Sequence, residues 1–241
     1  MISPEILLLC GTAAAIAFVH TLLGPDHYLP FVALAKSREW SLARTLRTTL
    51  LCGSGHIVGS VILGFVGIYA SMKLHALEWV EGLRGDLAAW ALVSFGLVYM
   101  AWGLRRAWRN RPHSHWHSHG GERHLHVHTH QATHAHVHAA PAGDDQRRAT
   151  ASWAIFIVFV LGPCEPLIPI LMFPAAKESL AGLLAVTLVF ALVTVVTMLA
   201  VVAVSVWGLQ SIRLPRMERF SEAIAGGTIT LCGLSIAVLG L

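Results

Sequence analysis

Leu23-Gly24-Pro25-Asp26-His27 and Leu161-Gly162-Pro163-Cys164-Glu165 are the two stretches on which the fold turns. Each lies in an apolar run long enough to cross a bilayer, which takes about 20 residues. Each interrupts that run with Gly-Pro and then with side chains that ionise or bind metals. Proline has no N–H and its ring crowds the preceding turn, so a helix is expected to unwind there. Pro25 deprives the carbonyl of Thr21 of its helical partner, and Pro30 does the same to Asp26. In the second stretch Pro163, Pro166 and Pro169 fall within seven residues. At membrane depth, backbone opened in this way is tolerated only against protein or a wet cavity.

Working outward, the two stretches share a register with their surroundings. Ser41-Leu42-Ala43 matches Ser179-Leu180-Ala181, and Thr49-Leu50 matches Thr187-Leu188, with no gap. After a one-residue slip, Gly96-Leu97 and Gly103-Leu104 match Gly233-Leu234 and Gly240-Leu241. A single register over several short matches indicates an internal duplication. Apolar runs at 5–35, 46–72, 86–107, 151–174, 180–208 and 222–241 predict six spans. The expected fold is an all-α polytopic membrane protein: two three-helix repeats, 1–108 and 151–241, whose first and fourth helices are broken. An odd number of spans per repeat inserts the second upside down, an arrangement associated with transporters that bind near the bilayer midplane.

Composition agrees. The chain is 55% hydrophobic and 12% charged, against about 25% charged for soluble domains. The net charge of +4 sits in short segments between apolar runs and does not predict a nucleic-acid partner. With both termini outside, the cytoplasmic segments hold fourteen Lys and Arg, and the external ones hold three, Lys73, Arg84 and Lys177. That asymmetry follows the positive-inside rule. The run from Ile6 to Phe18 has no basic n-region and no A-x-A site, so it reads as the first span and not as a signal peptide. A multi-pass protein of the cell (inner) membrane is expected. Cys10, Cys52, Cys164 and Cys232 lie in apolar runs without a CxxC pair, which predicts no disulfide framework.

The candidate metal residues are His20, Asp26, His27, His56, Cys164 and Glu165, with Gly24, Pro25, Gly162, Pro163 and Pro166 forming the helix breaks. Ionisable residues at membrane depth are expensive unless paired, hydrated or coordinating. In a straight helix His20 and His27 would lie about 10 Å apart along the axis. Unwinding at Gly24-Pro25 is what would bring both imidazoles and the Asp26 carboxylate together. Glu165 aligns with His27 and Cys164 with Asp26, offering a carboxylate and a soft thiolate. In the second span, Cys52, His56 and Ser60 share one helix face, with Gly53, Gly55 and Gly59 permitting close approach. His56 aligns with Thr194, which shares a face with Thr187 and Thr197.

The segment 109–150 has almost no aliphatic run and reads as a flexible cytoplasmic loop between the repeats. It holds eleven of the fifteen histidines: His113, His115, His117, His119, His124, His126, His128, His130, His134, His136 and His138. Many exchangeable imidazoles without a unique geometry suit weak, multivalent capture of divalent metals. Buffering or sensing is therefore the role expected of the loop.

The run His20-Thr-Leu-Leu-Gly-Pro-Asp26-His27 resembles the signature of the nickel/cobalt transporter superfamily, and Gly55-His56 resembles its second-span element. The similarity is closest to the branch that includes membrane proteins called urease accessory proteins. Five residues separate the first His from the Asp-His pair, where the better-known branch has four. The resemblance implies a secondary transporter in which His20, Asp26, His27 and His56 bind the transported ion. Nickel or cobalt is the expected substrate, with zinc next, and no tightly bound cofactor. The bilayer is one expected partner, and a cytoplasmic metallochaperone or metalloenzyme maturation protein another. There is no Walker motif, so ATP hydrolysis is not expected, and the chain does not read as an enzyme. Rival readings are a thiol–disulfide electron carrier using Cys52 and Cys164, an exporter of an organic or sulfur-containing anion, and a membrane-anchored metal sensor.

Overall fold

The computed structural model describes residues 4–70, 74–108, 113–119, 122–128, 153, 155–162, 164, 166–176, 180–210 and 218–239. Apolar sequence without strand-like alternation, punctuated by Gly-Pro, yields helices separated at those punctuation points. Helix α1 (Pro4–Leu23) stops at Gly24, a 3₁₀ turn covers Pro25–His27, and α2 (Leu29–Ser37) resumes. Ser41 caps α3 (Leu42–Tyr69) by accepting the N–H of Arg44 at 3.3 Å. Helix α4 (Leu74–Trp108) follows. In the second half, a helical stretch α5 (155–161) breaks at Gly162 and α6 (Leu167–Ala176) resumes. Then come α7 (Leu180–Gln210), a 3₁₀ turn at Glu218–Phe220 and α8 (Ser221–Leu239).

Five helices, α1, α3, α4, α7 and α8, are long and apolar enough to cross a membrane. Burial has the polarity such a protein needs. Leu8, Val98 and Val204 are about 70% exposed, at 73%, 71% and 68%, while Thr21, His27, Thr49, His56, Ser60 and Thr194 are buried. An apolar exterior around a polar interior is the reverse of a water-soluble bundle. The outer side chains suit lipid, while Thr21, Thr49 and His56 within bond main-chain carbonyls.

The bundle is held by close helix approaches. Gly96 lies against the backbone of Thr230, Gly226 against Met100, and Gly103 against Ala223, where an added Cβ would sit 2.3–2.5 Å from backbone nitrogen. Contact positions fall in α8 as they rise in α4, so the two helices run antiparallel. Helix α7 packs on α1 and α3, while α2 packs on α8. Phe31, Cys52, Leu92, Phe159, Met198 and Ile229 belong to one apolar cluster; Ala13, Ala17, Cys164, Leu167, Leu171 and Phe190 belong to another.

One expectation needs correction. Helix α4 begins at Leu74, well before the residue 86 at which the third apolar run was expected to start, so Arg84 is helical and not part of a loop. Its guanidinium donates to Glu81 Oε1 at 2.8 Å one turn away, and this pairing lets a charged turn continue the helix inward. A local feature lies within 109–150. There β1 (His113–His119) and β2 (Glu122–His128) form an antiparallel hairpin. A two-residue histidine repeat is also a strand repeat.

Candidate metal centre

The break after α1 does what the proline chemistry requires. Gly24 N–H still reaches the His20 carbonyl at 2.9 Å, closing the helix, and His27 N–H then turns back to the Gly24 carbonyl at 3.2 Å. That tight return carries His27 to the same level as His20. Their ring centres lie 5.0 Å apart, edge to face. From α3, His56 approaches the other side of His27 with ring centres 5.4 Å apart. Two imidazoles sharing one ion through Nε2, at about 2.0–2.1 Å in a tetrahedral shell, have centres about 5 Å apart. Both spacings match.

The hydrogen bonds decide which ring nitrogens are available. His27 Nδ1 lies 3.2 Å from the Gly24 carbonyl and 3.1 Å from Asp26 Oδ1. Both oxygens accept, which places a proton on Nδ1; in the neutral imidazole Nε2 then carries the lone pair. His56 Nδ1–H likewise donates to the carbonyl of Phe159 at 3.2 Å. The Nε2 atoms of His20, His27 and His56 are all buried with no hydrogen-bond partner. Metal-binding histidines commonly have this arrangement, one nitrogen anchored to a carbonyl or carboxylate and the other kept for the ion. Buried polar atoms are nearly always satisfied, so three unsatisfied ones on neighbouring rings call for a ligand. Among the described residues, no group of three or more His, Cys, Asp or Glu side chains forms a ready-made ion site; the donors adjoin each other without yet converging.

Phe159 brings the second half of the chain into this centre. Pro163 has no N–H to offer the carbonyl four residues earlier, which is that of Phe159, and His56 donates to it. A Cβ on Gly162 would sit 3.0 Å from His56 Nδ1, so only glycine leaves room for the ring there. Similarly, a Cβ on Gly24 would meet His27 Nδ1 at 2.5 Å and Asp26 Oδ1 at 2.9 Å. Both Gly-Pro sequences are thus matched to an imidazole lying on the glycine.

The remaining candidates divide. Cys164 is fully buried among Ala13, Ala17 and Leu167 in the second apolar cluster, and Cys52 is buried in the first. Among the described residues no cysteine forms a disulfide. Glu165, Pro163, His130, His134, His136 and His138 lie outside the described residues, while Pro166 occupies the turn before α6. Thr187 donates to its own helix at Leu183 O, 2.7 Å away. Thr194, aligned with His56, is fully buried and its hydroxyl has no hydrogen-bond partner. In the hairpin, His113 is opposite His128, His115 opposite His126 and His117 opposite His124. Strand residues two apart lie on the same side, so these six positions occupy one side of the ribbon. Trp116 opposite Leu125 lies on the other side.

One residue counted in the sequence only as external charge bears on the site. Arg84 reaches from α4 into the second break, donating to Val160 O at 3.0 Å and Gly162 O at 3.2 Å. Its signal was available: an arginine one turn after a glutamate at the head of a long apolar run. Comparisons with protein-family models, curated proteins and solved structures find no match to this chain.

Proposed function

We propose that this chain is a secondary transporter for a divalent transition-metal ion, nickel or cobalt foremost, of the kind found in the nickel/cobalt transporter superfamily. The observation that carries the reading is the set of three adjoining imidazoles, each with a buried Nε2 and no partner, two of them anchored through Nδ1. The three Nε2 atoms are the candidate donors, while Asp26 lies 3.1 Å from His27 on its Nδ1 side, where it orients that ring. The ion is cargo, so a centre with its donors adjacent but not locked favours release as well as capture. Glu165 and Cys164 come from the equivalent break and are second-half candidates for accepting the ion or a coupled proton.

The transporter architecture belongs to the same proposal: six spans, the broken fourth formed by α5 and α6, in two inverted repeats. The α4–α8 contact supports it. Gly96 meets Gly226 and Thr230, seven and three residues before Gly233; Gly233 meets Ala89 and Val93, seven and three residues before Gly96. Such reciprocity between antiparallel, equivalent helices is what a two-fold axis in the membrane plane produces. The sidedness has support too. Lys36 donates to Leu209 O at 2.9 Å, Arg38 to Tyr99 Oη at 2.7 Å, and Arg106 pairs with Glu222 at 2.6 Å. Basic residues from separate segments assigned to the cytoplasm thereby gather at one end of the bundle. The His-paired hairpin is then the cytoplasmic element that captures or hands over the metal.

Metal accumulation in cells tests the reading, comparing wild type, His20→Ala/His27→Ala and a 113–138 deletion at matched membrane expression, with nickel, cobalt and zinc. A metal-specific gain or depletion lost in the double variant but kept in the deletion supports transport through the intramembrane centre. Its sign gives the direction. Identical accumulation of every metal in all three overturns it.

A further inference from the structure

We propose that Arg84 is a positioning residue for the His56 ligand, acting through the backbone of the second helix break; the inference rests on the metal-transport reading above. Pro163 removes the i+4 donor of the Phe159 carbonyl, which keeps only the tight i+3 bond from Gly162 N–H at 3.1 Å, and Pro166 removes the i+4 donor of the Gly162 carbonyl. His56 Nδ1–H donates to the first at 3.2 Å, and Arg84 Nη2 donates to the second at 3.2 Å. The same Nη2 donates to the intervening Val160 O at 3.0 Å, while Nη1 reaches Ser60 Oγ at 3.4 Å and Glu81 Oε1 at 2.8 Å. One guanidinium thus binds acceptors from α3, α4 and the break.

The place is shaped for that group. A Cβ on Gly59 would stand 3.0 Å from both Arg84 Nη2 and Val160 O, so glycine here lets the guanidinium and the break lie against α3 one turn beyond His56. An ion pair between Glu81 and Arg84 needs only their own helix turn. Reaching across to residues 160 and 162 serves the break. The peptides that Arg84 holds flank Phe159 and Gly162, the two residues against His56: one accepts its Nδ1–H, the other bounds its ring. Holding them fixes the direction in which Nε2 faces His27. Five donors in a planar fork suit the task; the compact ammonium of lysine does not span these acceptors.

The test is calorimetric titration of the purified full-length protein in detergent with nickel and, separately, cobalt. It compares wild type, R84Q, R84K, H56A and the double variants E81Q/R84Q and H56A/R84Q. Loss of an outer partner of a metal ligand typically costs 10–100-fold in affinity. R84Q is therefore expected to bind about 10–100-fold more weakly, with R84K recovering only part. H56A/R84Q is expected to bind no more weakly than H56A, because Arg84 acts through His56. If R84Q leaves Glu81 uncompensated and fails to fold, E81Q/R84Q removes both charges and carries the comparison. Wild-type affinity in R84Q, or the same fold-loss in the H56A background, overturns the positioning role while leaving transport standing. No binding of either metal by wild type overturns both.

Discussion

His56 Nδ1 lies 3.2 Å from the main-chain carbonyl of Phe159, joining residues 103 apart in the chain. One proline, at 163, frees the acceptor, and one glycine, at 162, leaves room for the ring. The bond ties the first half's imidazole to the second half's helix break and leaves Nε2 as the only ring nitrogen free for an ion. Movement of α5 relative to α3 would therefore be felt at the centre directly.

Gly24→Ala places a methyl where His27 Nδ1 is 2.5 Å and Asp26 Oδ1 2.9 Å away. Carbon cannot occupy that space, so the ring must leave its anchor on the Gly24 carbonyl. Nickel affinity is expected to fall about tenfold or more with the protein still folded and monodisperse. Calorimetry beside size-exclusion chromatography checks it. Undiminished affinity would mean that the His27 anchor is irrelevant.

Gly226→Val acts on stability and not on the centre. Its Cβ would lie 2.3 Å from Met100 N, forcing α4 and α8 apart along their contact. Overpacking typically costs about 1–3 kcal/mol, sometimes more. A lowered midpoint of thermal unfolding in detergent is the expected result; an unchanged midpoint would show that this approach contributes little.

The hairpin makes register testable without altering composition. Exchanging Trp116 with His117 on β1 alone removes the opposed pair His117–His124, whereas also exchanging Leu125 with His124 on β2 recreates a pair on the other side. In a background lacking His20, His27 and His56, the single exchange is expected to weaken nickel binding several-fold and the double exchange to restore it. Opposed positions about 4.5–5.5 Å apart at Cβ are what make pairing matter. Equal binding by both exchanges would mean that histidine number alone counts.

Cys52→Ser/Cys164→Ser separates metal transport from thiol–disulfide electron transfer. The two side chains belong to different apolar clusters, and neither adjoins its counterpart as a redox pair must. Most metal accumulation is expected to survive the double substitution, read at equal membrane expression. Abolished accumulation would return the thiol reading to the front.

Much of the architecture was legible in the chain because membranes enforce simple rules. Long apolar runs predict the five helices that are long and apolar enough to cross a membrane, although α4 starts twelve residues before the run expected at 86. The interruptions at Gly24-Pro25 and after Gly162 follow from proline's missing N–H. What misled was charge counted as loop charge. Arg84 looks external in sequence, yet its pairing with Glu81 at 2.8 Å carries it into α4. In the histidine-rich segment, alternate spacing satisfies both a ligand-rich coil and a strand.

The sequence by itself determined that the chain has helices fit for a membrane, where two of its helical segments break, and which ionisable groups would be costly enough at depth to need a purpose. Local covalent chemistry suffices for all of that. Only the tertiary structure decided that His20, His27 and His56 adjoin, which nitrogen of His27 and of His56 is anchored, and that Arg84 holds the second break beside them. Those depend on which carbonyls are left without donors and which side chains from distant helices arrive to fill them. Such through-space bonds have no spacing in sequence from which to be read.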